Sequence, residues 1–253
     1  IEIDPSGGIF YVDPGIRWPR ALPKAEAPEG DDRAVIGMTA AKVFTLHSRP
    51  SATRKVYLNF RGWRVAGTAW NQSSGISVHE MLPYSKDADT TRFSPDEVNE
   101  IAEIWRAMAE DYAPFDIDVT TERPASFGPN VGHVLFSPRK DKAGNYVFSS
   151  AAGGVAYVGV WGLADFTRYQ PALVFPEGTG FTSKYMAEAG SHELGHNLGL
   201  SHDGTATLSY YAGHGSGNAS WAPIMGVGYN VNVSQWSKGE YPGANNKQDD
   251  LAV

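Results

Sequence analysis

Apolar residues fall into short runs separated by long stretches rich in Gly, Pro, Ser and Asp. Val56-Tyr57-Leu58-Asn59-Phe60, closed by Arg61-Gly62, has the β-branched and aromatic content of a strand. Ser94-Pro95-Asp96-Glu97 opens the clearest helix: Ser at the N-cap, Pro in the first turn and Glu three residues on form a capping box. Val98, Ile101, Trp105, Met108 and Tyr112 follow at spacings of three and four, one apolar stripe that should end before Pro114. Ile117 and Val119 alternate with Asp116, Asp118 and Thr120, as in a half-buried strand, and 132–136 reads as another. After a polar loop, 154–160 is a fourth, glycine-punctuated strand suited to a sheet edge, and 172–175 is a fifth. The proline-free stretch 184–200 reads as a second main helix, and the chain beyond it shows no convincing long element.

This order predicts an α/β (α+β) domain with a five-stranded mixed sheet, two main helices and an irregular C-terminal lobe. Residues 1–45 hold three Gly/Pro/Asp clusters and one short run, Ile9-Phe10-Tyr11-Val12, and read as an N-terminal arm or the remnant of a pro-segment. The compact domain is expected over 46–253, with an upper lobe of about 46–202 and a lower lobe of about 203–253. The chain reads as a processed piece of a longer precursor.

The 253 residues carry a formal charge of −7 with the basic residues scattered, which speaks against nucleic acid and polybasic membrane partners. No apolar run is long enough for a membrane span. Cysteine is absent, which excludes disulfides, thiolate metal ligands and a cysteine nucleophile, so any metal must be held by His, Asp or Glu.

Such a set exists in His192-Glu193-Leu194-Gly195-His196-Asn197-Leu198-Gly199-Leu200-Ser201-His202-Asp203. On a helix, His192 and His196 lie one above the other, and both imidazoles can reach one ion. Gly199 can take a left-handed conformation, break the helix and return His202 as a third ligand. Three imidazoles leave zinc an open position for water, as in catalytic sites, and Glu193 stands where it can act on that water as general base and then as acid. His47, His79 and His133 lack partner spacing and read as structural, and His214 as an exposed loop histidine.

The string resembles the metzincin clan of zinc endopeptidases, whose motif H-E-x-x-H-x-x-G-x-x-H is followed by a methionine turn. Ala222-Pro223-Ile224-Met225-Gly226 looks like that turn, with Met225 beneath the metal, and Asp203 after the third histidine is similar to the adamalysin or reprolysin branch. Over about residues 46–253 the chain looks most like bacterial reprolysin-like secreted proteases. The resemblance implies a monomeric extracellular enzyme that cuts internal peptide bonds of proteins. It implies that Val155, Ala156, Tyr157, Val158 and Gly159 pair with the extended substrate, that Val227 and Tyr229 lie in the wall of the primed-side pocket, and that Gly199 and Asp203 support the turn.

Two non-peptidase readings remain, a zinc-bearing binding module with a filled cleft and a zinc hydrolase of a cell-wall amide. Asp87 and Asp89 could hold Ca2+ but lack the surroundings of an EF-hand loop. Latency directed at the zinc would need a carboxylate such as Asp31 or Asp32.

Overall fold

The computed structural model describes residues 1–15 and 38–253. Its elements in chain order are β1 (Glu2–Ile3), β2 (Ile9–Asp13), α1 (Ala40–Val43), β3 (Arg54–Asn59), β4 (Trp63–Ala66), α2 (Ala69–Ser74), β5 (Val78–Met81), α3 (Pro95–Asp111), β6 (Ile117–Thr120), β7 (Val131–Phe136), β8 (Gly154–Tyr157), β9 (Ala172–Val174), α4 (Ser183–Leu198), β10 (Trp221–Pro223) and β11 (Val233–Gln235). The five expected strands form one mixed sheet, but that sheet has seven strands, in the order β1-β2-β8-β9-β7-β3-β6. The two extra strands come from the N-terminal arm: β2 pairs antiparallel with β8, and β1 with β2. β8 is therefore not an edge. It lies between β2 and β9, and the arm covers the side expected to be free.

Strand alternation sends side chains to two cores. Leu58, Val134, Phe136, Ala156 and Val174 face α3 and α4, meeting Val98, Ile101, Met108, Met186 and Leu194. Leu135, Val155, Tyr157, Leu173 and Phe175 face the opposite way, into a second core with Val65, Trp70 and Met81 from the small layer of β4, α2 and β5. With both faces covered, the central strands read in sequence as nearly continuous apolar runs. α3 has the expected capping box, with the Ser94 side chain accepting from the Glu97 amide and the Glu97 carboxylate accepting from the Ser94 amide. Tyr112 caps its C-terminus and donates through its hydroxyl to the Ser191 carbonyl of α4 at 3.0 Å.

β6 differs from its half-buried expectation, since all four of its residues are buried. Asp118 tolerates this because its carboxylate accepts from the His47 ring at 2.7 Å, the Arg49 amide at 3.1 Å and the Lys55 ammonium at 3.2 Å. Beyond α4 the chain is irregular apart from the short parallel pair β10–β11, and the Trp236 indole N–H donates to the Asp111 carbonyl at 2.6 Å, tying this region to α3. No helix among the described residues is long and apolar enough to cross a membrane.

His47, His79 and His133 all have local partners. His47 meets Asp118 and Glu122, and His79 meets Asp141 at 2.8 Å. His133 is buried among Tyr57, Trp63 and Phe127. The Asn59 amide nitrogen lies 3.1 Å from its Nε2, and Asn59 Oδ1 accepts from the Arg61 amide, so the nitrogen is the donor and the ring the acceptor. Burial, aided by the nearby Arg123 charge, pushes the His133 pKa down to about 3. Below about pH 6.5 the unfolded chain takes up a proton that the folded chain refuses, so folding stability falls as pH drops from there toward 3. Urea unfolding between pH 7 and 5 should show this, and His133→Gln should flatten the slope by up to about 1.4 kcal/mol per pH unit.

Candidate metal centre and cleft

The first two histidines are set by α4 and the third by the way α4 ends. Gly199 caps the helix in the left-handed region with φ 100°, its amide bonds the His196 carbonyl, and the Leu200 amide reaches back to the Gly195 carbonyl at 3.0 Å. The chain turns there and brings His202 under the helix. His196 Nε2 and His202 Nε2 lie 3.1 Å apart, and the three ring centroids are 4.8 to 5.2 Å from one another.

The backs of the rings fix which nitrogens face inward. His192 Nδ1 donates to the Ile224 carbonyl at 2.8 Å, and His196 Nδ1 donates to the Leu200 carbonyl at 2.8 Å. Their Nε2 atoms are thereby left as bare acceptors, and that of His192 is buried with no hydrogen-bond partner. Lone pairs converging in a dry pocket repel unless a cation lies between them. The nitrogens around a tetrahedral zinc stand about 3.3 Å apart, close to the 3.1 Å between His196 Nε2 and His202 Nε2. The donor set therefore fits zinc, with the Ile224 and Leu200 carbonyls already orienting His192 and His196 from behind.

A fourth donor comes from the arm. Asp13, the last residue of β2, places Oδ1 2.8 Å from His202 Nε2 and 3.4 Å from His192 Nε2, and Oδ2 3.4 Å from His196 Nε2. Together, Asp13, His192, His196 and His202 offer four ligand atoms all within 4.8 Å of one another. Burial pushes the Asp13 carboxyl up, but the charge His192 carries when protonated, and hydrogen bonds from the three rings in that ion-free state, more than reverse this and hold it well below the usual range. Asp31 and Asp32, named above as examples of the carboxylate that zinc-directed latency would need, lie outside the described residues.

Glu193 is fully buried with both carboxylate oxygens unpaired. Burial first, and the negative Asp13 second, push its pKa well up. Its place depends on Gly154 in β8, because a Cβ there would lie 2.2 Å from Glu193 Oε1. Gly195 plays the matching role below, where a Cβ would lie 2.5 Å from the Met225 sulfur. Met225 is fully buried under the helix, and its turn makes two structural bonds: the Ile224 carbonyl takes His192 Nδ1, and the Met225 carbonyl takes the Asp203 amide at 2.8 Å. Asp203 is fully buried beside Tyr241 and Asn246, and burial raises its pKa to about 6.

Val227, Gly228 and Tyr229 line a pocket that also touches Glu193, His192, Ala189 and Ile224, with Asp13 and Pro14 at its mouth. Val155, Ala156 and Tyr157 are fully buried, so β8 offers a partner its backbone and not these side chains. Val158 gives its amide to the Ile9 carbonyl. Gly159 turns away, its amide bonding the His196 carbonyl at the end of α4. Asp87 and Asp89 accept from their neighbours Ser85, Thr91 and Arg92, and His214 is an exposed loop residue that meets the Tyr211 hydroxyl.

Three residues of the centre escaped the sequence reading. Asp13 is distant in sequence, Tyr11 stacks on His196 with centroids 4.3 Å apart, and Tyr210 lies against His202 and donates to Asp13 Oδ1 at 2.5 Å. The one available signal was the alternation Phe10-Tyr11-Val12-Asp13, which puts Tyr11 and Asp13 on the same side of a strand.

Residues 84–203 match the model of the reprolysin-like metallopeptidase family M12B. No curated protein and no solved structure matches the chain.

The centre should bind one zinc per chain. Because only the folded chain presents the four ligands together, zinc at a hundredfold excess over its Kd should stabilise folding by about 2.7 kcal/mol. Thermal unfolding with and without zinc checks this, and His196→Ala should abolish both the shift and the stoichiometric metal.

Proposed function

Because the chain carries a reprolysin-like metallopeptidase segment, of a zinc-dependent class that hydrolyses peptide bonds, we propose that it is a secreted endopeptidase with Glu193 as its proton-transfer residue. The observation that carries this reading is the Glu193 carboxylate, buried, unpaired and next in sequence to a histidine of the metal centre. His192, His196 and His202 would hold the zinc. When bound, the ion supplies Lewis-acid chemistry, lowering the pKa of water and polarising a carbonyl oxygen.

The protein's own part follows from position. Glu193 takes a proton from the water that attacks the scissile carbonyl, and it passes that proton to the amide nitrogen as the C–N bond breaks, leaving a carboxylic acid and an amine. The backbone of β8 would supply the ladder for an extended peptide only with β2 displaced from it, and the pocket formed by Ala189, Ile224, Val227 and Tyr229 receives an apolar side chain beyond the cut. Gly199 and Asp203 support the turn that carries His202, and Met225 supports the floor of the centre. We read residues 46–253 as the catalytic domain and 1–45 as an appendage to it.

A second reading, a zinc-bearing binding module without hydrolysis, is favoured by one observation, the arm lying in the cleft. Peptide-library cleavage by the zinc-loaded Asp13→Ala chain, with and without chelator and read by mass spectrometry, separates the two. Chelator-sensitive cuts are expected, and their absence defeats the peptidase reading. In the same background Glu193→Ala should retain zinc and lose about 10²- to 10⁴-fold in kcat. Gly154→Ala should also lower kcat with zinc retained, because the added methyl displaces the Glu193 carboxylate.

A further inference from the structure

We propose that the cleft at the carboxyl ends of β3 and β6 is an anion-binding site built for a phosphate or sulfate monoester, with Arg61 and Arg123 supplying the charge and Tyr57 and Thr121 the floor. The cleft shares no residue with the metal centre or the pocket beside it, and it stands whether or not the chain is a peptidase. β3 and β6 are neighbouring parallel strands, and parallel sheets gather ligands just beyond the carboxyl ends of their strands, where the connecting loops converge. Tyr57 lies on β3 and Arg61 two residues past its end, while Thr121 and Arg123 follow β6.

The polar side-chain atoms left over in this cleft are donors. Tyr57 is 2% exposed and lines the cleft, and its hydroxyl has no hydrogen-bond partner among the described residues. Burial raises its pKa and so keeps the hydroxyl proton in place at neutral pH, while the Arg123 and Arg61 charges close by act in the opposite sense. Thr121 is 1% exposed, and its Oγ1 accepts from the Leu46 amide at 3.0 Å, which leaves its own proton to donate. The acceptors are already engaged: Asn59 Oδ1 takes the Arg61 amide at 2.9 Å, and Nε2 of His133, the ring stacked on Tyr57, takes the Asn59 amide nitrogen at 3.1 Å. A lining with protons to give and no lone pairs to offer selects a ligand that carries acceptors alone.

The two guanidinium groups add charge and shape. Arg61 places its Cζ 4.9 Å from the centroid of Phe44, and Arg123 places its own 4.7 Å from that of Trp63, so each planar fork lies against an aromatic wall before any ligand arrives. Arg49, Arg64, Arg92 and Arg139 each meet a carboxylate, whereas Arg61 and Arg123 meet none among the described residues, in a chain of net charge −7. Glu122, the acid next to Arg123, is engaged with the His47 ring at 2.8 Å instead. Two forks on separate walls and two hydroxyls between them present donors out of one plane. The three terminal oxygens of a monoester point in three directions and can meet them, whereas the two oxygens of a carboxylate share a plane. The cleft holds about 370 Å³, room for more than the bare ion, and Phe44 and Trp63 give an apolar surface to the group that carries the ester.

The test is calorimetry on the full zinc-loaded chain at low salt, with phenyl phosphate, phenyl sulfate, inorganic phosphate and benzoate as probes. Phenyl phosphate and phenyl sulfate should bind one per chain, more tightly than inorganic phosphate and at least threefold more tightly than benzoate. Arg61→Ala and Arg123→Ala should each weaken phenyl phosphate at least about tenfold, the loss expected for one charge-assisted hydrogen-bonding partner. Arg123→Lys should not restore the affinity, because an ammonium has no fork and does not lie flat on Trp63. Tyr57→Phe keeps the buried ring and should still weaken the ester severalfold. Both arginines are exposed, so their variants should fold, and circular dichroism checks this. No binding of phenyl phosphate to wild type, or undiminished binding to the double variant Arg61→Ala/Arg123→Ala, overturns the proposal. Binding that survives in the double variant but is lost in His196→Ala belongs to the metal centre and overturns it as well. Benzoate bound as tightly as the esters overturns the choice of a tetrahedral group. None of these results bears on peptide cleavage, so this site and the peptidase reading stand or fall separately.

Discussion

The centre of this molecule is a set of imidazole nitrogens whose lone pairs point at one another in a largely buried place. That arrangement is unstable by itself, and it is imposed from behind: the Ile224 and Leu200 carbonyls take the outer N–H groups of His192 and His196. One of these carbonyls belongs to the methionine turn and the other to the turn that ends α4. The two turns thus choose the tautomers, and the tautomers create the demand for a cation. Met225 can sit directly under the helix only because residue 195 has no side chain, and Glu193 can reach the groove only because residue 154 has none. The two glycines do opposite-facing versions of one task, admitting a functional side chain where a Cβ would stand.

What could be read from the sequence is what depends on short-range spacing. His192 and His196 share a helix face because they are four residues apart, Gly199 ends the helix because it alone tolerates φ 100° cheaply, and the Ser94–Glu97 box starts α3 where the pattern placed it. Apolar runs, and one alternating stretch, located five of the seven strands of the sheet. The missed features are all contacts across long stretches of chain. Asp13 lies far from His192 in sequence, and nothing local to Ile9–Asp13 says that this strand joins β8 or that its last side chain meets three histidines. Tyr210 gave no periodic signal because it lies in irregular chain. β6 was misjudged for a related reason: alternation counts Asp118 as polar and therefore outward, whereas His47, Arg49 and Lys55 satisfy it inside.

The cleft brings competing charges into close range. Asp13 and Glu193 are two carboxylates in one buried site, and the histidines favour ionisation of the first while burial and that ionised neighbour disfavour it in the second. Their environments push the two acids in opposite directions. The first of these acids comes from the arm and the second from α4.

The Ile224–His192 bond has one more consequence, for cooperativity. A chain without cysteine has no covalent staple between the irregular C-terminal region and the sheet. The methionine turn instead grips α4 through His192 and the chain beyond its C-terminus through Asp203, while Trp236 grips α3 at Asp111. Fraying of the last fifty residues would take the carbonyl from behind His192 and loosen the ligand it orients, and loss of the ion would weaken the reason for that segment to stay folded. Metal retention and local unfolding of the C-terminal region are therefore two readings of one equilibrium.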